Sequence, residues 1–177
     1  MGYWDRFPWS VDVMTKNTIF LAGLLILLGS GAAAAASDPR EALLTRDLAA
    51  VGARAAARDI PIVLLMSASY CGYCDRVRDE FLVPMIIGGD YAGRAILREL
   101  PIDGPGVRDF DGSRRSAGAI AGRYDVSLVP TLLFLDGGGR ELAPRMVGLG
   151  TVDFYGAYLE RAVETAEARL TAPDVAP

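Results

Sequence analysis

The sequence predicts an α/β fold, with a mixed sheet of four to five strands and helices on both of its faces. Two observations support this prediction. Over the first part of the chain, apolar patterning follows the order helix, strand, helix, strand, helix. The later part has two strands joined by a glycine turn and then a last helix. Crossover connections give parallel strands and a hairpin gives antiparallel ones, so the sheet is expected to be mixed.

The first helix and the first strand are close together in the sequence. The segment SDPREALL predicts a helix start, with Asp38 as N-cap, Pro39 at the first position and Glu41 completing a capping box. Apolar residues at helical spacing extend this helix to about Arg58. The continuous apolar run IPIVLLMSA, residues 60–68, is typical of a central strand buried on both faces.

Two cysteines, Cys71 and Cys74, fall where this strand passes into the next helix. Apolar residues recur at helical spacing from Cys74 to Met85, with charged residues between them. The cysteines are therefore expected in the first turn of an amphipathic helix. Pro84 is expected to end or kink that helix near residue 83.

The remaining elements follow from apolar runs and glycine-rich segments. We expect a strand within residues 94–103, a loop at 104–116, a short helix ending near Tyr124, hairpin strands at 131–135 and 141–147 around a glycine turn at 137–139, and a final helix with Thr151 as N-cap.

The N-terminal residues have the pattern of an export signal. The apolar run TIFLAGLLILL, residues 18–28, is followed by the small residues GSGAAAAASD. This arrangement is typical of a secretory signal peptide, and its A-x-A pattern places cleavage after Ala36. Met14 is a plausible true start, so that the residues before it would belong to an over-extended reading frame. An uncleaved segment is the alternative, because residues 18–36 are just long enough to span a bilayer and anchor the protein to the inner membrane.

These observations divide the chain into three parts. We expect a signal peptide at residues 1–36, a folded domain at 37–170 and a disordered tail at 171–177. Whether or not the signal is cleaved, the folded domain is expected in the periplasm, where disulfide chemistry is permitted.

Composition excludes several classes of function. The 177 residues are 51% hydrophobic, which is enough for one domain with a sizeable core. Lysine and arginine total 18 against 22 aspartates and glutamates, with no basic patch, so no nucleic-acid partner is expected. The chain has no histidine, which excludes Ser-His triads and removes the commonest metal ligand.

The spacing of the only two cysteines permits several kinds of site. A zinc site needs about four ligands, and two thiols without histidine do not supply them, so no metal is expected. Haem attachment requires a histidine directly after the second cysteine, where this chain has Asp75. A structural disulfide between Cys71 and Cys74 would close a very small loop and stabilise the fold only weakly. That structural disulfide remains open as the alternative to a redox-active pair.

A redox-active pair has positive support from the predicted helix. A cysteine at a helix N-terminus faces unpaired backbone N–H groups and the positive end of the helix dipole. Both favour the thiolate, so we expect a lowered pKa and a reactive sulfur at Cys71. Cys74 lies one turn further, on the side facing the core. We therefore expect Cys71 to form mixed disulfides as the exposed nucleophile, and Cys74 to resolve them. No organic cofactor is expected, since the dithiol itself carries the electrons.

The chain resembles thioredoxin-fold proteins from about residue 60 to residue 160. Three motifs carry the resemblance: the strand running into CGYC, the VPT motif that opens a later strand, and the hairpin LFLDGGGREL. The fold that this resemblance implies is the thioredoxin fold, with thiol:disulfide oxidoreductase activity.

The resemblance also implies a substrate-binding site. Pro130 would follow a cis peptide bond and lie against the cysteine pair, and the Val129 backbone would pair with an extended substrate strand. Tyr70, Gly72 and Tyr73 would lie beside them. The alternative for Pro130 is an ordinary proline at the start of a strand.

Two positions depart from the thioredoxin pattern. Thioredoxins have a buried aspartate six residues before the first cysteine, where it assists proton transfer at the buried thiol, and this chain has Leu65 there. No replacement carboxylate is visible on this strand, so proton transfer to Cys74 is expected to need water or a more distant group. The tryptophan that commonly precedes the first cysteine is Tyr70 here.

The segment YCGYCDRVRDEFLVPMI is similar to small periplasmic thioredoxin-like proteins, including those associated with sulfur-oxidation systems. This similarity implies a reductant of disulfides in periplasmic proteins that is recharged by a membrane electron donor. A disulfide oxidant or isomerase on the same fold is one alternative, because the direction of electron flow depends on a reduction potential that the sequence does not give. A non-catalytic binding module is the other. A direct membrane association is expected only if the N-terminal segment is uncleaved.

Overall fold

A computed structural model of the chain describes residues 38–172. The predicted signal peptide, with its alternative as an anchor, and residues 173–177 of the predicted tail lie outside the described residues. The helices are α1 (Pro39–Leu43), α2 (Leu48–Arg58), α3 (Gly72–Val77), α4 (Val83–Gly88), α5 (Ala117–Arg123) and α6 (Val152–Thr171), with a π-helical turn (Arg78–Leu82) between α3 and α4. The strands are β1 (Ile62–Ser67), β2 (Ile96–Pro101), β3 (Val107–Arg108), β4 (Arg114–Arg115), β5 (Thr131–Leu135) and β6 (Glu141–Val147).

The main sheet has four strands in the order β2-β1-β5-β6. Strand β1 is parallel to β2 and antiparallel to β5, and β6 is antiparallel to β5. The sheet is therefore mixed, as predicted, and the strand bounds expected for β5 and β6 are confirmed. Strands β3 and β4 form a separate two-stranded ribbon inside the segment that was predicted to be a loop.

Each face of the main sheet carries its own hydrophobic core. Val63 and Leu65 of β1 point to a core shared with α3 and α6, whereas Ile62 and Leu64 point to a core shared with α2 and α5. Every residue of β1 is buried. This double burial explains why the strand is a continuous apolar run and not an alternating one.

The prediction of one helix from residue 39 to residue 58 is wrong. Asp38 is the N-cap of α1, as expected, and accepts the Arg40 N–H, but α1 ends at Leu43. The chain then runs beside the edge of the sheet, where the Thr45 N–H donates to the Glu99 carbonyl oxygen at 3.0 Å. A second N-cap, Asp47, starts α2 by accepting the Ala50 N–H. The contact with the sheet edge gives the Thr45 N–H a partner outside the helix.

Pro84 does not end the helix that follows the cysteines. The backbone widens into the π-helical turn before it, where the Val83 N–H donates to the Arg78 carbonyl oxygen, and Pro84, which has no N–H, lies in the first turn of α4. The helix ends instead at Gly89, whose φ of 76° is left-handed. Among the described residues, none of the helices is both long and apolar enough to cross a membrane.

Candidate functional site

The two cysteines lie at the junction between β1 and α3. Cys71 is the N-cap of α3, and its sulfur accepts the backbone N–H of Cys74 at 3.1 Å. The two residues are joined by a disulfide. Cys71 is partly exposed, whereas only 1% of Cys74 is exposed. The predicted position at the helix start and the asymmetry of burial are both present.

Hydrogen bonds to Asp103, two residues after the end of β2, hold the turn that precedes Cys71. The Ser69 backbone N–H donates to Asp103 Oδ2 at 3.0 Å, and the Ser69 hydroxyl donates to the same carboxylate. These bonds, the hydroxyl's first, lower the pKa of Asp103. The turn is thus joined to β1 through the chain and to the segment after β2 through Asp103.

An open pocket of about 440 Å³ lies over the disulfide. Its lining includes Tyr70, Cys71, Gly72, Tyr73 and Val129, which are among the predicted site residues. The two tyrosines are 79% and 65% exposed, so their rings are free to contact a bound chain. Nothing lies within 4 Å of the position of a Cβ at Gly72, so its role does not come from lack of space.

The VPT motif forms the other wall of this pocket. The Val129–Pro130 peptide bond is cis. Pro130 is buried and its carbonyl oxygen accepts the Gly148 N–H at 2.8 Å. Within residues 38–172, neither the N–H nor the carbonyl group of Val129 makes a hydrogen bond. Both groups are therefore available to an extended chain lying beside Cys71.

A third segment that sequence reasoning missed completes the groove. A second pocket of about 340 Å³ continues from Tyr73 and Pro130 to the loop of residues 148–150 after β6. Gly148 and Gly150 have φ values of 74° and 55°, which turn the chain toward the VPT motif. The usable signal was the pair of glycines, two residues apart, directly after the last strand.

A buried ion pair that was not predicted lies beneath the cysteine helix. Glu99 on β2 is paired in register with Leu65 on β1. It points to the same face as Leu65 and Leu97, the face on which α3 packs. Its Oε1 accepts a hydrogen bond from Arg78 at 3.2 Å, while no described residue bonds its Oε2. Arg78 follows Cys74 by one helical turn, so the carboxylate lies under the helix that carries the buried cysteine.

The charges nearest the pocket are already paired. Arg76 lines the pocket and donates two hydrogen bonds to Glu80, at 2.8 and 3.1 Å. Hydrogen bonding between the two raises the pKa of Arg76 and lowers the pKa of Glu80. Across the described range, no group of three or more carboxylate or cysteine side chains is arranged to hold a metal ion.

One family model matches most of the chain. Residues 48–162 match the family model described as a thioredoxin-like domain. The structure is similar to mitochondrial thioredoxin 3 from Saccharomyces cerevisiae in its oxidized form, at 17% identity and a TM-score of 0.50, covering 72% of this chain and 98% of that one. It is also similar to oxidized thioredoxin O2 from Arabidopsis thaliana, at 20% identity and a TM-score of 0.43, covering 69% and 96% of the two chains. No curated protein sequence matches the chain.

Proposed function

We propose a direction of electron flow and a compartment for this chain, which belongs to the thioredoxin-like domain family. Its fold and its Cys71–Cys74 disulfide make it a thiol:disulfide oxidoreductase. We infer that it reduces disulfides of periplasmic proteins and is recharged by a membrane electron donor. The export pattern at residues 1–36 supports the compartment.

The proposed direction of electron flow rests on one observation: few groups stabilise the Cys71 sulfur. Across residues 38–172, its hydrogen bond comes from the Cys74 N–H, and no cationic side chain donates to it. The nearby Arg76 guanidinium is bound by Glu80. Strongly oxidising dithiol proteins owe their potential to a stabilised reduced form. If the reduced Cys71 sulfur kept these neighbours, its thiolate would be stabilised by one backbone N–H and the start of a short helix, which supports the reducing direction.

The reaction consists of two thiol–disulfide exchanges. The Cys71 thiolate attacks one sulfur of the substrate disulfide, whose S–S bond breaks, and one substrate sulfur leaves as a thiolate. Cys74 then loses its proton and attacks the Cys71 sulfur, forming the Cys71–Cys74 disulfide and expelling the second substrate thiolate. The substrate gains two electrons and, with two protons, becomes two thiols. The donor returns two electrons and two protons to the cysteine pair.

The proton of the buried Cys74 thiol needs an acceptor, because Leu65 occupies the position where thioredoxins have an aspartate. Glu99 is a carboxylate on the neighbouring strand, under the same helix. Its Oε1 is bound by Arg78, which leaves Oε2 to accept the proton. We therefore propose Glu99 as the more distant group through which proton transfer to and from Cys74 takes place.

The substrate is an extended polypeptide segment that contains a disulfide. The free main-chain groups of Val129 would pair with it, while Pro130, Gly72 and the exposed Tyr70 and Tyr73 form the walls. The groove has few unpaired charges, so apolar and aromatic substrate residues on either side of the cysteine would fit it best.

The decisive experiment combines two cysteine variants with a measured reduction potential. Cys71→Ser should abolish the reduction of insulin disulfides, and Cys74→Ser should accumulate mixed disulfides with periplasmic proteins. The potential should lie toward that of thioredoxin, about −270 mV, and not toward about −120 mV. A value near the oxidising end would instead support an oxidant or isomerase. A disulfide that does not exchange with glutathione or dithiothreitol would indicate a binding module and would refute the proposal.

The compartment has its own test. Fractionation of cells expressing the full chain should place the protein in the periplasm, and mass spectrometry of the mature N-terminus should show cleavage after Ala36. Recovery in the inner membrane with the segment intact would support the anchored alternative. Recovery in the cytoplasm would refute the proposed compartment and leave the redox chemistry to be judged by the cysteine variants.

A further inference from the structure

A separate pocket, of about 230 Å³, lies at the other end of the sheet from the disulfide. It surrounds the outer edge of β2 near Ile96, which pairs with Ile62 at the start of β1. The cysteines instead follow the end of β1 at Ser67. Six strand residues separate the two ends, a span of about 20 Å. This pocket shares no lining residue with the groove beside the disulfide.

Three arginines converge on this pocket. Arg54 and Arg58 lie four residues apart on α2 and therefore on the same side of the helix, and Arg98 reaches the pocket from β2. Arg58 donates to the Ala92 carbonyl oxygen and Arg98 donates to the Leu97 carbonyl oxygen. These bonds hold two of the guanidinium groups in place at the pocket wall.

None of the three arginines has an acidic partner in the described part of the chain. Of the 16 arginines there, nine form ion pairs with aspartate or glutamate, and the three of the pocket are among the seven that do not. The chain as a whole has more acidic than basic residues, so carboxylates are not in short supply. Like charges four residues apart on a helix are mildly destabilising.

The lack of an acidic partner among the described residues matters most for Arg98, because this side chain is partly buried. Arg98 is only partly exposed, and burial, followed by the charge of Arg54, lowers the pKa of its guanidinium. Charged groups that are taken out of water are normally paired, because desolvation is otherwise uncompensated. An anion bound between Arg98 and Arg54 would supply the compensation that residues 38–172 do not.

The shape and the rest of the lining indicate what kind of anion fits. Guanidinium groups bind phosphate oxygens in pairs of parallel hydrogen bonds, which favours a phosphate group. Met85, Ile86 and Ala95 are among the other residues that line the pocket and would contact an apolar substituent. The volume is below the roughly 300–1,000 Å³ of pockets for drug-sized ligands, so the occupant is small.

We propose that the pocket formed by Arg54, Arg58 and Arg98 binds the phosphate group of a small phosphate monoester that has a short apolar substituent. The site is separate from the redox chemistry and does not depend on the proposed function. The same group occurs on a free metabolite and on a lipid headgroup, and the experiment below separates these two sources.

The test titrates the oxidised full-length protein with inorganic phosphate and with butyl phosphate by isothermal calorimetry at constant ionic strength. A third arm uses vesicles with and without phosphatidic acid. Butyl phosphate should bind saturably, with a dissociation constant of roughly millimolar or below, and at least several-fold more tightly than inorganic phosphate. Binding of butyl phosphate would identify a free ligand, and binding only of the phosphatidic acid vesicles would identify a lipid headgroup.

Variants connect the binding to the pocket. Arg98→Gln should weaken butyl phosphate binding by about tenfold or more, a loss expected when one charged hydrogen-bonding partner is removed. Arg54→Gln should also weaken butyl phosphate binding. Arg54 is exposed on α2, so this substitution is not expected to disturb folding. Arg114→Gln is the matched control, because Arg114 is exposed, lacks an ion pair among the described residues and lies outside the pocket.

The proposal is overturned if neither phosphate probe nor the phosphatidic acid vesicles bind saturably. It is also overturned if Arg54→Gln and Arg98→Gln bind the probes as Arg114→Gln does. Reduction of insulin by Arg54→Gln should remain at the wild-type rate, which keeps this result independent of the redox activity.

Discussion

Replacing Arg78 by methionine tests how the buried carboxylate beneath the cysteine helix is held. The side chain of Glu99 is 2% exposed and that of Arg78 is 21% exposed. Methionine fills a similar volume and favours a helix, so the main change is the loss of the guanidinium. Glu99 is then left buried with neither oxygen bonded, since Arg78 supplies the bond to Oε1.

The magnitude follows from the burial of the pair. Removing one partner of a buried ion pair costs about 3–5 kcal/mol, because the remaining charge is uncompensated. Arg78 is partly exposed, so water can reach the vacated space and the lower end of that range applies. We expect Arg78→Met to reduce the free energy of unfolding by about 3 kcal/mol. For a domain of this size, that loss lowers the Tm by about 10 °C.

The assay is denaturant and thermal unfolding of the oxidised protein, followed by far-UV circular dichroism. Arg76→Met is the control, because Arg76 lies two residues earlier, on α3, in an exposed ion pair with Glu80 and should change stability by less than about 0.5 kcal/mol. The double variant Arg78→Met/Glu99→Leu removes both charges and should regain most of the lost stability. The reasoning is refuted if Arg78→Met is as stable as the control, or if the double variant is no more stable than Arg78→Met.

Three further predictions use other parts of the molecule. Glu99→Gln should slow the release of substrate from the mixed disulfide by about tenfold or more, with a smaller deficit toward pH 9, where thiols ionise unaided; an unchanged single-turnover rate would remove Glu99 from the proton path. Tyr155→Phe should raise stability by about 1 kcal/mol at neutral pH, because the Tyr155 hydroxyl is buried without a hydrogen-bond partner among the described residues. Burial raises the pKa of Tyr155 to about 12, so the wild type loses stability as the pH rises from about 10 to 12, and melting curves should show a smaller loss in the variant. Gly52→Ala should destabilise the fold by about 2 kcal/mol, since a Cβ there would lie 2.2 Å from a backbone carbonyl oxygen of the β5–β6 turn; Gly122→Ala, with nothing within 4 Å, is the control and should be neutral or stabilising in the same melts.

Elements specified by local signals could be predicted from the sequence. The buried strand β1, the glycine hairpin and the position of Cys71 at a helix start all depend on residues within a few positions of one another. The break between α1 and α2 could not be predicted in this way. It depends on a hydrogen bond from Thr45 to the carbonyl group of Glu99, which is distant in sequence. Propensity alone favoured a continuous helix, and a tertiary contact overrode it.

The candidate site was predicted to a similar extent. The cysteines, their flanking tyrosines and the VPT motif are brought together by the fold, because β1 and β5 are adjacent and antiparallel. The loop at Gly148 and Gly150 was missed, although it closes the groove against Pro130. Its involvement depends on how β6 ends in space, and sequence spacing does not reveal that.

The strand β2 contains a signal from which both buried charges could have been expected. Arg98 and Glu99 are consecutive in a strand whose neighbours are apolar, and consecutive strand residues point to opposite faces. Each face of the sheet is covered by helices, so both faces must accommodate a charge at this level. On one face, Glu99 pairs with Arg78 from the π-helical turn that follows α3. On the other, Arg98 meets Arg54 and no described carboxylate. The same alternation that places a carboxylate under the cysteine helix therefore also places Arg98 on the opposite face of the sheet, where no carboxylate of the described residues pairs with it.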